Sequence, residues 1–208
     1  MLRVLTLSTL FPDRSRPRFG PFVERQTLGL AGHPDVGLRI MAPIGLPPWP
    51  LSRLDHYAAL SALPARENWQ GLDVLRPRFL HLPATDGRFD ATMLARALLP
   101  QLRRLREQFS FDVIDAEFFF PDGPAAIALG KALGVPVSIK ARGSDIHLWG
   151  QRPATRVQVV DAGKAADGVL AVSAALKSEM IAMGMPADRI RVHHTGVDLD
   201  LFQPVDRL

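Results

Sequence analysis

Four consecutive residues, Arg142-Gly143-Ser144-Asp145, set a cation, a permissive backbone, a hydroxyl and a carboxylate directly after an apolar run that ends at Lys140. That concentration of polar groups after a buried strand makes it the best local candidate for a site. The plainer reading is an internal Arg142–Asp145 ion pair that closes a loop. A second polar stretch, Glu117 followed by Pro121-Asp122-Gly123-Pro124, flanks the aromatic run Phe118-Phe119-Phe120. There Gly123 reads as a helix N-cap and Pro124 as the first helical residue. The three phenylalanines read as core before they read as the wall of a sugar or lipid site, because Phe is so often buried. At Gly20-Pro21 a loop meets a helix start, where exposed N–H groups favour anions. Arg14, Arg16 and Arg18 add charge nearby; their bland reading is a turn glycine with solvated arginines.

Other candidates carry less. His193 and His194 are adjacent and would point to opposite sides of a strand, so a shared metal ion is not expected. Asp198-Leu199-Asp200 has the look of a metal-binding pair of acids but lies in a terminal loop with no phosphate cradle. His147 reads as a loop histidine. The dinucleotide fingerprint G-x-G-x-x-G is missing, which disfavours NAD and FAD, and no cofactor is expected. There is no G-x-S-x-G elbow, so a small α/β hydrolase is a weak alternative.

The elements that position these residues follow from periodicity. Residues 2–8 form a buried strand, Pro21 opens a helix with apolar residues at helical spacing, and Gly32-His33-Pro34 stops it, with Gly32 suited to a left-handed C-terminal position. Residues 36–42 make the second strand of a βαβ unit. Residues 43–70 hold five prolines with Trp49 and Trp69 and read as a partner-facing loop with a short helix near 54–62. Strands are expected at 72–75, 112–116, 135–140, 168–172 and 190–193. Helices are expected at about 90–108, where Pro100 offers a division, and at 124–133 and 154–165. Another runs from an N-cap at Ser173 to Gly184. Strands alternating with helices imply one α/β, Rossmann-like domain with a mainly parallel sheet covered on both faces. In such a sheet ligands bind outside the carboxyl ends of the strands, where the polar loops above lie.

Bulk properties narrow the class. The chain has 208 residues, 47% hydrophobic and 22% charged, which is ordinary for a globular domain. It has no cysteine, so disulfides and thiolate metal sites are excluded. The net charge is +4, and the arginine excess behind the high pI is mild evidence for anionic ligands, nucleic acid or a membrane surface. No apolar run approaches the ~18 residues that cross a bilayer. The opening apolar segment is short and has no small-residue cleavage site, so a first strand is expected rather than a signal peptide, and a cytoplasmic protein.

Four segments together resemble the N-terminal half of a family 4 glycosyltransferase of the two-domain GT-B architecture. They are Phe11-Pro12 with Gly20-Pro21-Phe22-Val23-Glu24-Arg25-Gln26, the Pro121-Asp122-Gly123 turn, Arg142-Gly143-Ser144-Asp145-Ile146, and a tail. The tail comprises Val172-Ser173-Ala174-Ala175-Leu176-Lys177, Gly184, Arg189-Ile190, Thr195-Gly196-Val197-Asp198, Phe202 and Pro204. Members that build surface polysaccharides are the most similar. The resemblance implies a retaining, metal-independent transferase whose N-terminal domain holds the acceptor and whose C-terminal domain holds a nucleotide sugar. It assigns Gly20 to the donor phosphates and Arg142 and Asp145 to catalysis near the transferred sugar. Glu117, Asp122, Gly123 and Ser144 are the expected acceptor-side residues. Many members carry histidine at the place of Arg142, and arginine also occurs in this subgroup.

The same resemblance divides the chain into a domain at 1–196 and a hinge-like tail at 197–208 leading toward a donor-binding domain. The family's Glu-x7-Glu element belongs to that second domain, so the 208 residues are expected to be inactive alone. Expected partners are a nucleotide-sugar donor, only with a second domain, and a glycan or lipid-linked acceptor, but no nucleic acid. Residues 43–70 and the basic helix near 96–106 are candidates for a lipid-linked or anionic acceptor and for peripheral contact with the inner face of the membrane. The rival reading is a stand-alone, non-catalytic α/β module that binds a glycan or a partner.

Overall fold

A computed structural model describes residues 1–197, 199, 202 and 203. Strands β1 (Leu2–Leu7), β2 (Val36–Met41), β3 (Ile44–Leu46), β4 (Arg66–Trp69), β5 (Leu72–Leu75) and β6 (Arg78–Leu80) come from the first part of the chain. They are followed by β7 (Val113–Ala116), β8 (Val137–Ala141), β9 (Gly168–Ala171) and β10 (Ile190–Val192). The helices are α1 (Pro21–Ala31), α2 (Asp55–Ser61), α3 (Asp90–Gln108), α4 (Asp122–Leu133), α5 (Ser144–His147), α6 (Arg156–Ala165) and α7 (Ala174–Ala182). Eight strands form one sheet in the order β10-β9-β8-β7-β1-β2-β5-β4, and β3 pairs with β6 in a small second sheet. Every pair in the large sheet is parallel except β4 with β5.

Strand alternation sorts the core into two faces. Leu5, Leu7, Met41, Ile114, Ala116, Val137, Ile139 and Ala141 pack with α3, α4, α6 and α7 in the main cluster. Ile40, Ala42 and Val74 point the other way and meet Val23 of α1. Chain order reverses direction at β1: β2 lies on one side of it and β7 on the other. That reversal opens a crevice between the loops leaving β1 and β7, the place where open α/β sheets take ligands.

Several expectations shift in detail. Residues 43–70 are no plain loop: they contain β3, a short 3-10 turn at Leu51–Arg53, α2 and β4. The extra strands β3 and β6 are three residues each, too short for period-2 alternation to show. Helix α3 runs unbroken through Pro100. Pro100 and Arg96, whose carbonyl the ring leaves free, are both exposed, so water can take that carbonyl. Leu94, Leu98 and Leu102 bury both halves of the helix in one core, at about 1.5–3 kcal/mol per side chain. Gly32 is right-handed rather than left-handed, with φ −77° and its N–H bonded to the Leu28 carbonyl. Ser173 caps α7 as expected, accepting from the Leu176 N–H at 3.1 Å.

Candidate functional site

The pleat of β7 and β8 builds a charged cluster beneath the Arg142 loop. Asp115 pairs in register with Ser138 and Ala116 with Ile139, so Glu117 lies level with Lys140 one step further on. Since Ile114, Ala116, Val137 and Ile139 face the main core, Asp115, Glu117, Ser138 and Lys140 face α1. Gln26 of α1 reaches into them. Its amide donates to Glu117 Oε1, and its carbonyl accepts from Lys140 Nζ. Arg142 closes the group: Nη2 donates to Glu117 Oε2 and to Gln26 Oε1 (3.2 Å), and Nε donates to the Glu117 carbonyl at 2.7 Å. Lys140 Nζ lies 2.8 Å from His193 Nδ1 at the end of β10.

This cluster is sealed. Lys140 is 0% exposed and Glu117 1%. Burial holds the Lys140 ammonium below its usual range; Glu117 works against that shift and Arg142 adds to it. Burial and then the Lys140 charge push the His193 imidazole down. A neutral imidazole accepts the Lys140 proton at Nδ1, which places its own proton on Nε2. Desolvation, followed by the neighbouring Glu117, raises the Asp115 carboxyl well above the usual carboxylate range. Arg142 Nη1 is buried with no partner among the described residues.

Asp145 does not pair with the Arg142 guanidinium. Its carboxylate accepts the backbone N–H groups of Arg142 (3.0 Å), Gly143 (2.8 Å), Phe119 (2.8 Å) and Ile146 (3.2 Å). It therefore fastens the loop after β7 to the loop after β8, and the expected Arg142–Asp145 ion pair is replaced by Arg142–Glu117. Burial raises the Asp145 carboxyl even against those donors.

Asp122 is likewise fully buried. Oδ2 accepts from the Thr9 N–H at 2.9 Å, Oδ1 has no partner among the described residues, and desolvation pushes its pKa up to about 8. Helix α4 begins at Asp122 with Pro121 as its N-cap, so Gly123 lies inside the first turn rather than at the cap, and Pro124 is the third helical residue rather than the first. Gly123 is buried against Ile139. Three residues expected to meet an acceptor, Glu117, Asp122 and Gly123, are thus turned inward: Glu117 pairs with Arg142, Asp122 takes the Thr9 N–H and Gly123 packs on Ile139. Ser144 alone of that set is exposed. Phe118, Phe119 and Phe120 are core.

Gly20 caps α1 in the left-handed region at φ 67°, and a Cβ there would sit 2.4 Å from the Leu10 carbonyl oxygen. Only glycine fits this turn, which leads directly into the helix that carries Gln26. Above the cluster, an open cleft of about 330 Å³ is lined by Phe22, Arg25 and Gln26 of α1 and by His193 to Val197. Gln26 and His193 belong to both the cleft and the buried network.

The remaining candidates disperse. Arg14 donates to the Ala62 carbonyl, Arg16 pairs with Asp13, and Arg18 is exposed. His147 pairs with Glu179 at 2.9 Å, so it is an external brace. His194 bonds the Val172 carbonyl while His193 bonds Lys140, so the two diverge as expected, although β10 ends at Val192, one residue short of the expected strand. Among the described residues no group of three metal-ligating side chains occurs. Asp198, Asp200 and Pro204 lie outside the described residues. Sequence reasoning passed over Lys140 and Asp115 as site residues. Their signal is the alternation Ile114-Asp115-Ala116-Glu117 and a lysine closing an apolar strand, polar positions on a face that a buried parallel strand would fill with apolar residues.

Comparison with known proteins agrees with this fold. The mainly parallel sheet and its rim define a Rossmann-like domain of the kind that makes up half of a GT-B fold. Anabaena HepE in complex with UDP-glucose superposes with a TM-score of 0.56 at 15% identity, over 99% of this chain and 47% of that one. The UDP-GlcNAc 2-epimerase of Methanocaldococcus jannaschii gives 0.55 at 10% identity, over 92% and 45%. The chain spans about half the length of these structures. No curated protein matches it in sequence. The family model for Glycosyltransferase Family 4 matches residues 64–201, and the chain belongs to that family.

Proposed function

We propose that this chain is the acceptor-side domain, at 1–196, of a retaining, metal-independent glycosyltransferase, with 197–208 leading to a donor-binding domain. The observation that carries the reading is the charged cluster of Glu117, Lys140 and Arg142 at the carboxyl ends of β7 and β8, within the segment the family model matches. A sugar leaving its nucleotide deposits negative charge on the diphosphate, and fixed cations in a dry site stabilise such charge strongly. In this proposal Gly20 lets backbone N–H groups approach the donor phosphates, as a left-handed turn at a helix start allows. Arg142 offers its unpartnered Nη1 to the transferred sugar, while Asp145 acts as a positioning residue that holds the Arg142 loop. Glu117, Asp122 and Gly123 shape the rim, and Ser144 is the exposed hydroxyl beside it.

The share of the matched structures that the chain covers supports a split active site, so the domain alone has no transferase activity. The test is to incubate the purified chain with nucleotide sugars and lipid-linked or free glycans, alone and with the donor-binding half of a Family 4 glycosyltransferase. Turnover only in the combined sample, with retained anomeric configuration by NMR and no loss on chelation, is the expected result. Turnover by the isolated chain overturns the split-site reading.

Exposed Arg103 and Arg104 on α3 are further candidates for contact with an anionic membrane carrying a lipid-linked acceptor, at about 1 kcal/mol each. Arg106 is not available, since it donates to the Leu133 carbonyl and covers the Phe111 ring. No described helix is long and apolar enough to cross a membrane. Co-sedimentation with anionic vesicles should weaken on neutralising Arg103 and Arg104, and unchanged binding removes the membrane contact from the proposal.

A further inference from the structure

A second, smaller pocket of about 170 Å³ opens at the crevice between β1 and β7, where Thr9 leaves β1 and Pro121 ends the loop after β7. At ~30 Å³ per liquid water it holds the equivalent of five or six waters, the space of one small ring rather than a chain. Its apolar side comes from Phe79, Ile44 and Leu60. Gly45 keeps it open: a Cβ there would lie 2.9 Å from Phe79 Cζ and 3.2 Å from His81 Cβ.

Two charged side chains face this pocket, and both are held in place before any ligand arrives. Asp90, 6% exposed at the start of α3, has its carboxylate fixed by His81 Nδ1 at 3.0 and 3.1 Å from its two oxygens. The bond to Asp90 raises the His81 pKa against its burial. A carboxylate has about four lone-pair directions, so each Asp90 oxygen keeps one for a ligand. Arg16 gives Nε and Nη2 to Asp13 Oδ2 at 3.0 and 2.8 Å, and its guanidinium lies 4.2 Å over the Phe19 ring. Asp13 is itself 0% exposed and also accepts the N–H groups of Ser15 and Arg16. The guanidinium plane is thus set, its charge is matched by Asp13, and no described residue takes Nη1.

We infer that this pocket binds one neutral, hydroxyl-rich sugar ring. Asp90 would accept from adjacent hydroxyls, Arg16 Nη1 would donate to a ring or hydroxyl oxygen, and Phe79 would meet an apolar face. An acidic sugar fits less well, because the Arg16 charge is already answered by Asp13 and Asp90 repels carboxylates. Pre-set polar groups lose little freedom on binding, which is how a small pocket gains selectivity. The inference rests on the acceptor-side reading above and names a subsite for one sugar unit of the acceptor, lined by none of the residues of the Arg142 cluster.

The test uses the isotopically labelled 208-residue chain and NMR titration with methyl α-glucopyranoside, methyl α-mannopyranoside, methyl α-galactopyranoside and glucuronic acid. Shifts at the amides of Thr9, Gly45 and Asp90 with at least one neutral glycoside, at affinities on the order of millimolar, are expected. Asp90→Asn and Arg16→Lys should each weaken that binding about tenfold or more, since each removes a charge-assisted or forked hydrogen bond. Dispersed spectra matching the parent show that both variants fold. Shifts at Arg142 to Ser144 instead, tighter binding of glucuronic acid, or no response to any glycoside overturn the inference. The transfer assay above stands apart from these outcomes, so a failed subsite and a failed acceptor-side reading are distinguishable.

Discussion

Two acid–arginine pairs stand on the same rim and do opposite things. In Arg142–Glu117 both side chains are sealed, at 7% and 2% exposure. In Arg16–Asp13 the acid is sealed at 0% and the arginine remains 35% exposed. A fully buried pair gives up the hydration of both ions and recovers it only through geometry, so it holds structure and leaves only the Arg142 Nη1 unspent. A half-open pair spends the acid on orienting the cation and leaves donors for a ligand. Between them stands Asp122, a buried carboxyl with no cation beside it, whose response is to keep its proton. Sealing, rather than residue type, separates the three.

Breaking the sealed pair should have the largest effect. Glu117→Ala leaves Lys140 and Arg142 without their shared carboxylate and should cost about 3–5 kcal/mol, read as a lower urea midpoint with an unchanged slope. A loss as small as that of a surface pair would mean the cluster is wetter than it is drawn. Next comes Gly20→Ala, which forces a side chain into φ 67° and against the Leu10 carbonyl. It should cost about 2–4 kcal/mol from left-handed strain and overpacking together.

Asp122 gives a pH signature. Its folded pKa of about 8 lies above the unfolded value of ~3.9, so the folded state binds the proton more tightly. Stability from this group is therefore full below about pH 4, falls as pH rises toward 8, and is level above that. Asp122→Asn should flatten that decline and raise stability at pH 8 by about 1–3 kcal/mol, checked by urea midpoints across pH. A parallel decline in both proteins would move the effect to Asp115 or Asp145. The smallest effect belongs to Arg66–Asp73, a pair 70% and 39% exposed. Arg66→Ala should leave the midpoint unchanged, which would confirm that pairing without sealing contributes little.

Most of the fold could be read from the chain because strands and helices here are long enough to show their periods. Leu2–Leu7, Pro21–Ala31 and Asp90–Gln108 carry their own signals of alternation, proline start and apolar stripe. The strands β3 and β6 escaped because each is three residues long and finds its partner more than thirty positions away, from Ile44 to Arg78. The helix start at Asp122 was displaced by two residues because Pro121, Gly123 and Pro124 are all compatible with a first turn. The family and the polar loops were legible from residue types in order, and the position of Gly20 was legible from a glycine before a helix-starting proline.

What no local pattern could decide is which of those polar groups meet solvent. Arg142 and Asp145 are neighbours in sequence, yet the guanidinium turns to Glu117 and the carboxylate to four backbone N–H groups. Asp90, Arg16 and Phe79 come to one pocket, with His81 bonded to Asp90, only when β6, α3 and the loop after β1 assemble. The amino-acid sequence determines the elements, the family and the residues able to do chemistry, because these depend on short-range periodicity and side-chain type. The tertiary structure alone decides which charges are sealed and which remain open, because burial is a sum over distant neighbours that no segment carries by itself.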